Sequence, residues 1–148
     1  MERLLLMPVG MDNPHRLLKG SQVPIPHAHN LLTERIIGCA IKIHRVLGPG
    51  LLESAYESAF SIELTKTGLQ FLRQVSCPIE YEGELVGAYR FDLLVENAVL
   101  VEVKSVVKFE RIFVTQVLTY LRATGCRLGL IINFNVPVLK DGVKRVVL

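Results

Sequence analysis

The chain has 148 residues, half of them hydrophobic, with 17 Lys and Arg against 14 Asp and Glu and a net charge of +3. That length suffices for one domain burying roughly two-thirds of its unfolded surface, so no metal or disulfide is needed to hold it. The composition excludes a wholly disordered or low-complexity chain. No apolar run approaches the roughly 20 residues that span a bilayer, and LLLM at residues 4–7 is too short for a signal-peptide core. A cytoplasmic location with no membrane partner is expected. Cys39, Cys77 and Cys126, odd in number and each in an apolar context, suit reduced structural thiols better than a disulfide framework or a zinc site. Charge is uneven: residues 1–103 carry a balance of −3 and residues 104–148 one of +6. A phosphate-binding face needs such a basic third, although scattered solvated charges give the same count.

In chain order, residues 1–29 are interrupted by prolines, lack sustained periodicity and read as a poorly ordered arm, leaving residues 30–148 as the domain. His27 and His29 within the arm are taken as incidental. From Leu31 the spacing of Ile36, Ile37, Ala40, Ile41, His44 and Leu47 predicts an amphipathic helix over residues 31–47, capped by Asn30 or Thr33 and ended by Gly48-Pro49-Gly50. His44 on its apolar side is expected to be a satisfied core histidine. A second helix over residues 51–67 should place Leu52, Ala55, Tyr56, Ala59, Phe60 and Leu64 on its core face and stop at Gly68.

The period then becomes two. Four stretches, LQFLRQVS, CPIEYEG, LVGAYRFDLLV and AVLVEVKSV, alternate β-branched and aromatic residues, with turns at Glu82-Gly83 and Glu96-Asn97, and predict an antiparallel meander. A third helix over residues 112–124 should end at Gly125. CRLGLIINF then has the apolar run of a strand buried on both faces, and DGVKRVVL supplies a last strand after an Asp-Gly turn. Two helices, a run of strands, a helix and two strands imply an α+β, or mixed α/β, domain with helices flanking a central sheet.

Three charges interrupt the hairpin RFDLLVENAVLVEVKSV. Alternation puts Glu102 and Lys104 on one face and Val101 and Val103 on the other, while Phe91, Leu93 and Val95 face one way and Asp92 the opposite way. A three-residue loop, Glu96-Asn97-Ala98, would bring Val95 opposite Val99 and Asp92 opposite Glu102. Opposed carboxylates repel, so something positive belongs between them. Lys104 and Arg90 would do as a solvated face; so would a divalent cation, Mg²⁺ or Mn²⁺, held by the two carboxylates and the Val103 carbonyl. A two-residue turn would shift the register by one and separate the pair.

Asp92 followed by Glu102-Val103-Lys104 resembles the D…(D/E)xK motif of the PD-(D/E)xK nuclease superfamily, with Phe91 where a proline usually precedes the Asp. Upstream, Gly50-Leu51-Leu52-Glu53-Ser54-Ala55-Tyr56 matches G-x-x-E-x-x-Y, and with HRVLGPG before it and QVLTYLRATGCRLGLIINF after, residues 31–148 are similar to the GxxExxY protein family. Where that family commonly carries a His three residues before the helix-three Gln, this chain has Phe113.

The resemblance implies a restriction-endonuclease-like core and a metal-dependent nuclease acting on DNA, in repair or defence. Asp92 and Glu102 would be ligands of Mg²⁺ or Mn²⁺, and Lys104 would orient or deprotonate the attacking water or stabilise the phosphate. Glu53 would be a further ligand or water-holding acid, although a carboxylate in a first helical turn also has a structural reason to be there. Tyr56 belongs rather to the core. Gln116, paired with Tyr120 as QxxxY on helix three, would position water or a phosphate. Lys108, Arg111 and Arg122, with Tyr120, would meet nucleic acid, and Arg127, Lys140, Lys144 and Arg145 extend the basic third. The competing readings are a non-catalytic nucleic-acid-binding module and a homodimeric interaction protein on the same fold.

Overall fold

A computed structural model describes residues 23–148, so most of the expected arm, residues 1–22, lies outside the described residues. Helix α1 (His27–Leu47) begins four residues ahead of the expected start at residue 31. Pro26 stands at its N-cap, and its carbonyl accepts from the amides of His29 and Asn30. The expected side-chain cap does not form: the Thr33 hydroxyl donates inside the helix to the Asn30 carbonyl, at 2.7 Å. Ile36, Ala40 and His44 are buried as expected, but the stripe is completed by Leu32, Cys39 and Ile43, while Leu47 is exposed. His44 Nε2 lies 2.7 Å from the Val136 carbonyl, the satisfied core histidine that its apolar surroundings require.

Helix α2 (Glu53–Lys66) buries Tyr56, Glu57, Phe60 and Leu64. Leu52, assigned to the core face from spacing, instead precedes the helix as its N-cap and is 75% exposed. Tyr56 is a core residue: its ring stacks on Phe134 with centroids 4.3 Å apart, and its hydroxyl donates to the Gly48 carbonyl and accepts from the Leu51 amide. One side chain thereby closes the loop between α1 and α2.

The two sequence segments between residues 69 and 83 merge into one long strand, β1 (Phe71–Tyr81). It is followed by β2 (Glu84–Val95), β3 (Val99–Lys104), α3 (Arg111–Thr124), β4 (Leu128–Asn133) and β5 (Val143–Val147). A short 3₁₀ turn, Leu139–Gly142, replaces the simple Asp-Gly turn expected before β5. The sheet order is β1-β2-β3-β4-β5, antiparallel except for β3 and β4, which run parallel because the α3 crossover joins them. Every residue of β4 is buried, as its apolar run predicts.

Helices α1 and α2 cover one face, meeting Leu93, Val95, Val101 and Val103; α3 covers the other with Val117 and Leu121 against Leu100 and Ile131. A Cβ on Gly129 of β4 would come within 2.7 Å of Val117 Cγ1, so the glycine lets α3 lie close on the sheet. The architecture is the expected α+β one, a central mixed sheet flanked by helices. Among the described residues no helix is long and apolar enough to cross a membrane.

One expectation about the sheet fails where it matters most. Leu93 and Val95 pack toward α1 and α2, but Phe91 packs toward α3, so the alternation breaks at Asp92. On β1 the same change separates Phe71 from Val75 and Cys77, with Gln74 between them in a left-handed conformation at φ 49°. A positive φ at a non-glycine residue rotates the strand, and the faces exchange on either side of it.

Candidate active site

The hairpin loop is the three-residue one: Val95 pairs with Val99, Leu94 with Leu100 and Leu93 with Val101. Glu96 and Asn97 take positive φ, and the Ala98 amide returns to the Val95 carbonyl. Beyond Leu93 and Val101 the ladder between β2 and β3 stops, which would orphan the next amides. The two carboxylates take them over. The Asp92 amide donates to Glu102 Oε1 at 3.0 Å, and the Val103 amide donates to Asp92 Oδ2 at 2.7 Å. Each acid thus completes the other strand's backbone, which explains how two like charges hold station where strands part.

Each keeps a second oxygen outside that exchange. Asp92 Oδ1 is 3.2 Å from Gln74 Nε2, and Glu102 Oε2 is 3.6 Å from Lys104 Nζ. Lys104 in turn lies 4.6 Å from the centroid of the Phe113 ring on α3. Burial pushes the Asp92 carboxyl above its usual range, with the Glu57 charge adding to the effect against the pull of the Val103 amide. Burial and the Asp92 charge push Glu102 up to about 7. Burial, with mutual repulsion added to it, thus disfavours the ionised form of both acids.

Glu53 opens α2 and is exposed, and its carboxylate accepts from the Ser105 amide at 3.3 Å, one residue past Lys104. The Ser105 hydroxyl donates to the Leu51 carbonyl, so the start of α2 is fastened to the end of β3. Val103 pairs with Ile132 of β4 and sends its amide to the β2 side; because a strand residue points N–H and C=O the same way, its carbonyl is directed there too. Asn133 holds the segment beyond, donating to the Val106 carbonyl and accepting from the Val106 amide.

Gln116 is half-buried on the α3 side that also carries Phe113 and Tyr120. Tyr120 is 6% exposed and packs on Phe91, centroids 5.6 Å apart; burial and the Glu102 charge push its hydroxyl up to about 12. Lys108 and Arg111 are exposed, the first in the connection from β3 and the second at the start of α3. Arg122 is exposed near the far end of α3, about 16 Å along the axis from Arg111 at 1.5 Å per residue.

Two residues given no role from the sequence, Gln74 and Glu57, the latter on the same side of α2 as Glu53, belong to this neighbourhood. Glu57 is buried on α2, and Gln74 Nε2 bridges both its oxygens, at 3.0 Å each, to Asp92. Arg73 Nε approaches Glu57 at 3.4 Å. The available signal was the spacing of Glu57, one turn after Glu53 on a helix leading toward the hairpin. Nothing in the sequence marks Gln74, because a left-handed glutamine has no compositional signature.

A divalent cation suits this donor set. Two carboxylate oxygens and a backbone carbonyl are hard ligands, and magnesium sites typically use one or two carboxylates and leave the remaining positions to water and phosphate. Among the described residues no group of three or more His, Cys, Asp and Glu is arranged to hold a metal by itself.

Asp92 on one strand, Glu102 and Lys104 on the next, at the opening of a mixed sheet between helices, define a D…ExK site on an α+β fold. The chain belongs to the PD-(D/E)XK nuclease superfamily, whose family model matches residues 30–146. Nucleases of that superfamily generally use divalent metals. No curated protein and no solved structure matches the chain.

Proposed function

We propose that the protein is a nuclease that hydrolyses phosphodiester bonds in DNA with Mg²⁺ or Mn²⁺, and that residues 30–148 form its catalytic domain. The spacing of Gly50, Glu53 and Tyr56 supports placing it with the GxxExxY proteins. The observation that carries the reading is the reciprocal exchange between Asp92 and Glu102, which leaves Asp92 Oδ1 outside it beside Gln74 and Glu102 Oε2 outside it beside Lys104. A cation bound by Asp92, Glu102 and the Val103 carbonyl would offset charge building on the phosphate and lower the pKa of an attacking water.

The chain's own groups do the rest. Lys104, held between Glu102 and the Phe113 ring, donates to the phosphate oxygen as negative charge grows there. Gln116 positions the water from the α3 side, and Glu53 closes the site at the end of β3. Lys108 and Arg111 hold the flanking phosphates, with Arg122 reaching a more distant one. Tyr120, expected from the sequence to meet nucleic acid, is instead buried and supports the site from within by packing on Phe91.

The test is incubation of the purified protein with labelled single- and double-stranded DNA and RNA, in Mg²⁺, Mn²⁺ or EDTA, beside Lys104→Ala. Cleavage of DNA that requires the metal and is lost in Lys104→Ala, with the variant still folded by circular dichroism, is the expected result. Equal binding in EDTA and no cutting under any condition would replace the enzyme by a binding module.

A further inference from the structure

We infer that Gln74 is a positioning residue for the cation site, fixing the Asp92 carboxylate through a side-chain bridge to Glu57; the inference rests on the metal-dependent reading above. Gln74 lies opposite Asp92 in the β1–β2 register, since Arg73 pairs with Leu93 and Val75 with Phe91, yet the Gln74–Asp92 pair itself is missing from the ladder. In its place Gln74 takes φ 49°, a conformation that L side chains with a Cβ adopt rarely and that persists where surrounding contacts impose it.

The contact that does so is a three-way one. Gln74 Nε2 is 3.0 Å from Glu57 Oε1, 3.0 Å from Glu57 Oε2 and 3.2 Å from Asp92 Oδ1. Its two hydrogens therefore span a carboxylate from α2 and one from β2. The Val103 amide already holds Oδ2 of Asp92, so with Gln74 on Oδ1 both oxygens are restrained and the plane of the carboxylate is set.

The chemical type of the donor matters as much as its position. A lysine or arginine here would neutralise the carboxylates and compete with a cation for them. A glutamate would add repulsion and donate nothing. A neutral amide restrains Asp92 and keeps the negative charge that a cation needs, which is the usual task of an outer hydrogen bond around a metal ligand. Arg73, next in sequence, brings its charge to the side of Glu57 and makes the longer contact, 3.4 Å.

The test measures Mn²⁺ binding without nucleic acid, by calorimetry at fixed pH and by the Mn²⁺-induced rise in Tm relative to EDTA. Gln74→Met keeps the length of the side chain and removes the donor. Gln74→Gly removes the donor and relaxes the left-handed backbone, so it folds even if the strained methionine variant does not. Both variants should bind Mn²⁺ roughly tenfold or more weakly than wild type, the scale of outer-shell effects on metal affinity. In Gln74→Gly this loss should come with a Tm in EDTA within a few degrees of wild type, a separation that a purely structural role would not produce. Wild-type Mn²⁺ affinity in either variant overturns the inference and leaves the nuclease reading standing. Absence of Mn²⁺ binding by the wild-type protein overturns both.

Discussion

The ammonium of Lys104 lies 4.6 Å from the centre of the Phe113 ring, so a residue of the sheet and one of α3 share a cation–π contact at the mouth of the site. Lys104 is mostly buried there, and its other partner, Glu102 Oε2, is 3.6 Å away. Such a contact is worth about 1 kcal/mol when partly desolvated. Phe113→Leu should therefore lower stability by roughly that amount plus lost packing, and slow cleavage more than it weakens DNA binding, because the ammonium loses its fixed position. Urea unfolding and a comparison of kcat with KM check both parts.

Asp92→Asn should raise Tm in EDTA. Asparagine keeps an acceptor for the Val103 amide while removing a buried charge that faces those of Glu57 and Glu102. Wild type should gain about 2.7 kcal/mol at Mn²⁺ 100 times its dissociation constant, several degrees in a chain of this size, and the variant should lose that gain. Identical Tm values for both proteins with and without Mn²⁺ would leave a charged hairpin and no metal site.

Stability in EDTA should fall as pH rises from 4.5 to about 7. Across that window Glu102 keeps its proton in the folded chain and has lost it in the unfolded one, since its folded value is about 7 against an ordinary 4.5. Fewer protons are bound by the unfolded state, so the slope is negative, and the loss levels off above the folded value at roughly 3 kcal/mol. Asp92, also raised by burial, acts in the same direction. Glu102→Gln should flatten the profile, as read by urea midpoints between pH 4.5 and 8.

DNA affinity should drop steeply between about 50 and 200 mM salt. Removing Lys108 or Arg111 should reduce the slope of log K against log salt by about 0.9 each for duplex DNA. Removal of Arg122, on the far part of α3, should matter only for longer oligonucleotides. Fluorescence anisotropy over that salt range, with duplexes of two lengths, distinguishes these outcomes.

Much of this was legible in the sequence wherever a local rule and the tertiary environment agree. The apolar run of β4 and the end of α3 at Gly125 follow from residue type and spacing, and of the two hairpin loops that the sequence leaves open the three-residue one sets Leu93 against Val101. The juxtaposition of Asp92 and Glu102 followed from that turn. Other features depend on partners far along the chain. Where α1 begins is decided by Pro26, a capping residue without a side-chain hydrogen bond, and its buried stripe turns toward Cys39 and Ile43 because α2 and the sheet lie there. A strict period of two cannot anticipate the exchange of faces at Gln74 and Asp92, which arises where β2 parts from β3 and side-chain carboxylates take the place of ladder bonds. Glu57 and Gln74 acquire meaning only through that exchange.

Gly129 acts as a gauge for the distance between two sets of candidate site residues that it never touches. Lys104, Asp92 and Glu102 belong to the sheet; Phe113, Gln116 and Tyr120 belong to α3, and the clearance between the two layers is set where β4 offers Val117 no side chain. A single methyl at position 129 would have to lift the helix or turn Val117 aside, and lifting carries Phe113 away from Lys104. Alanine, serine and valine at this buried position thus form a graded series in which the spacing of the two halves of the site can be widened in steps with every charged residue left in place.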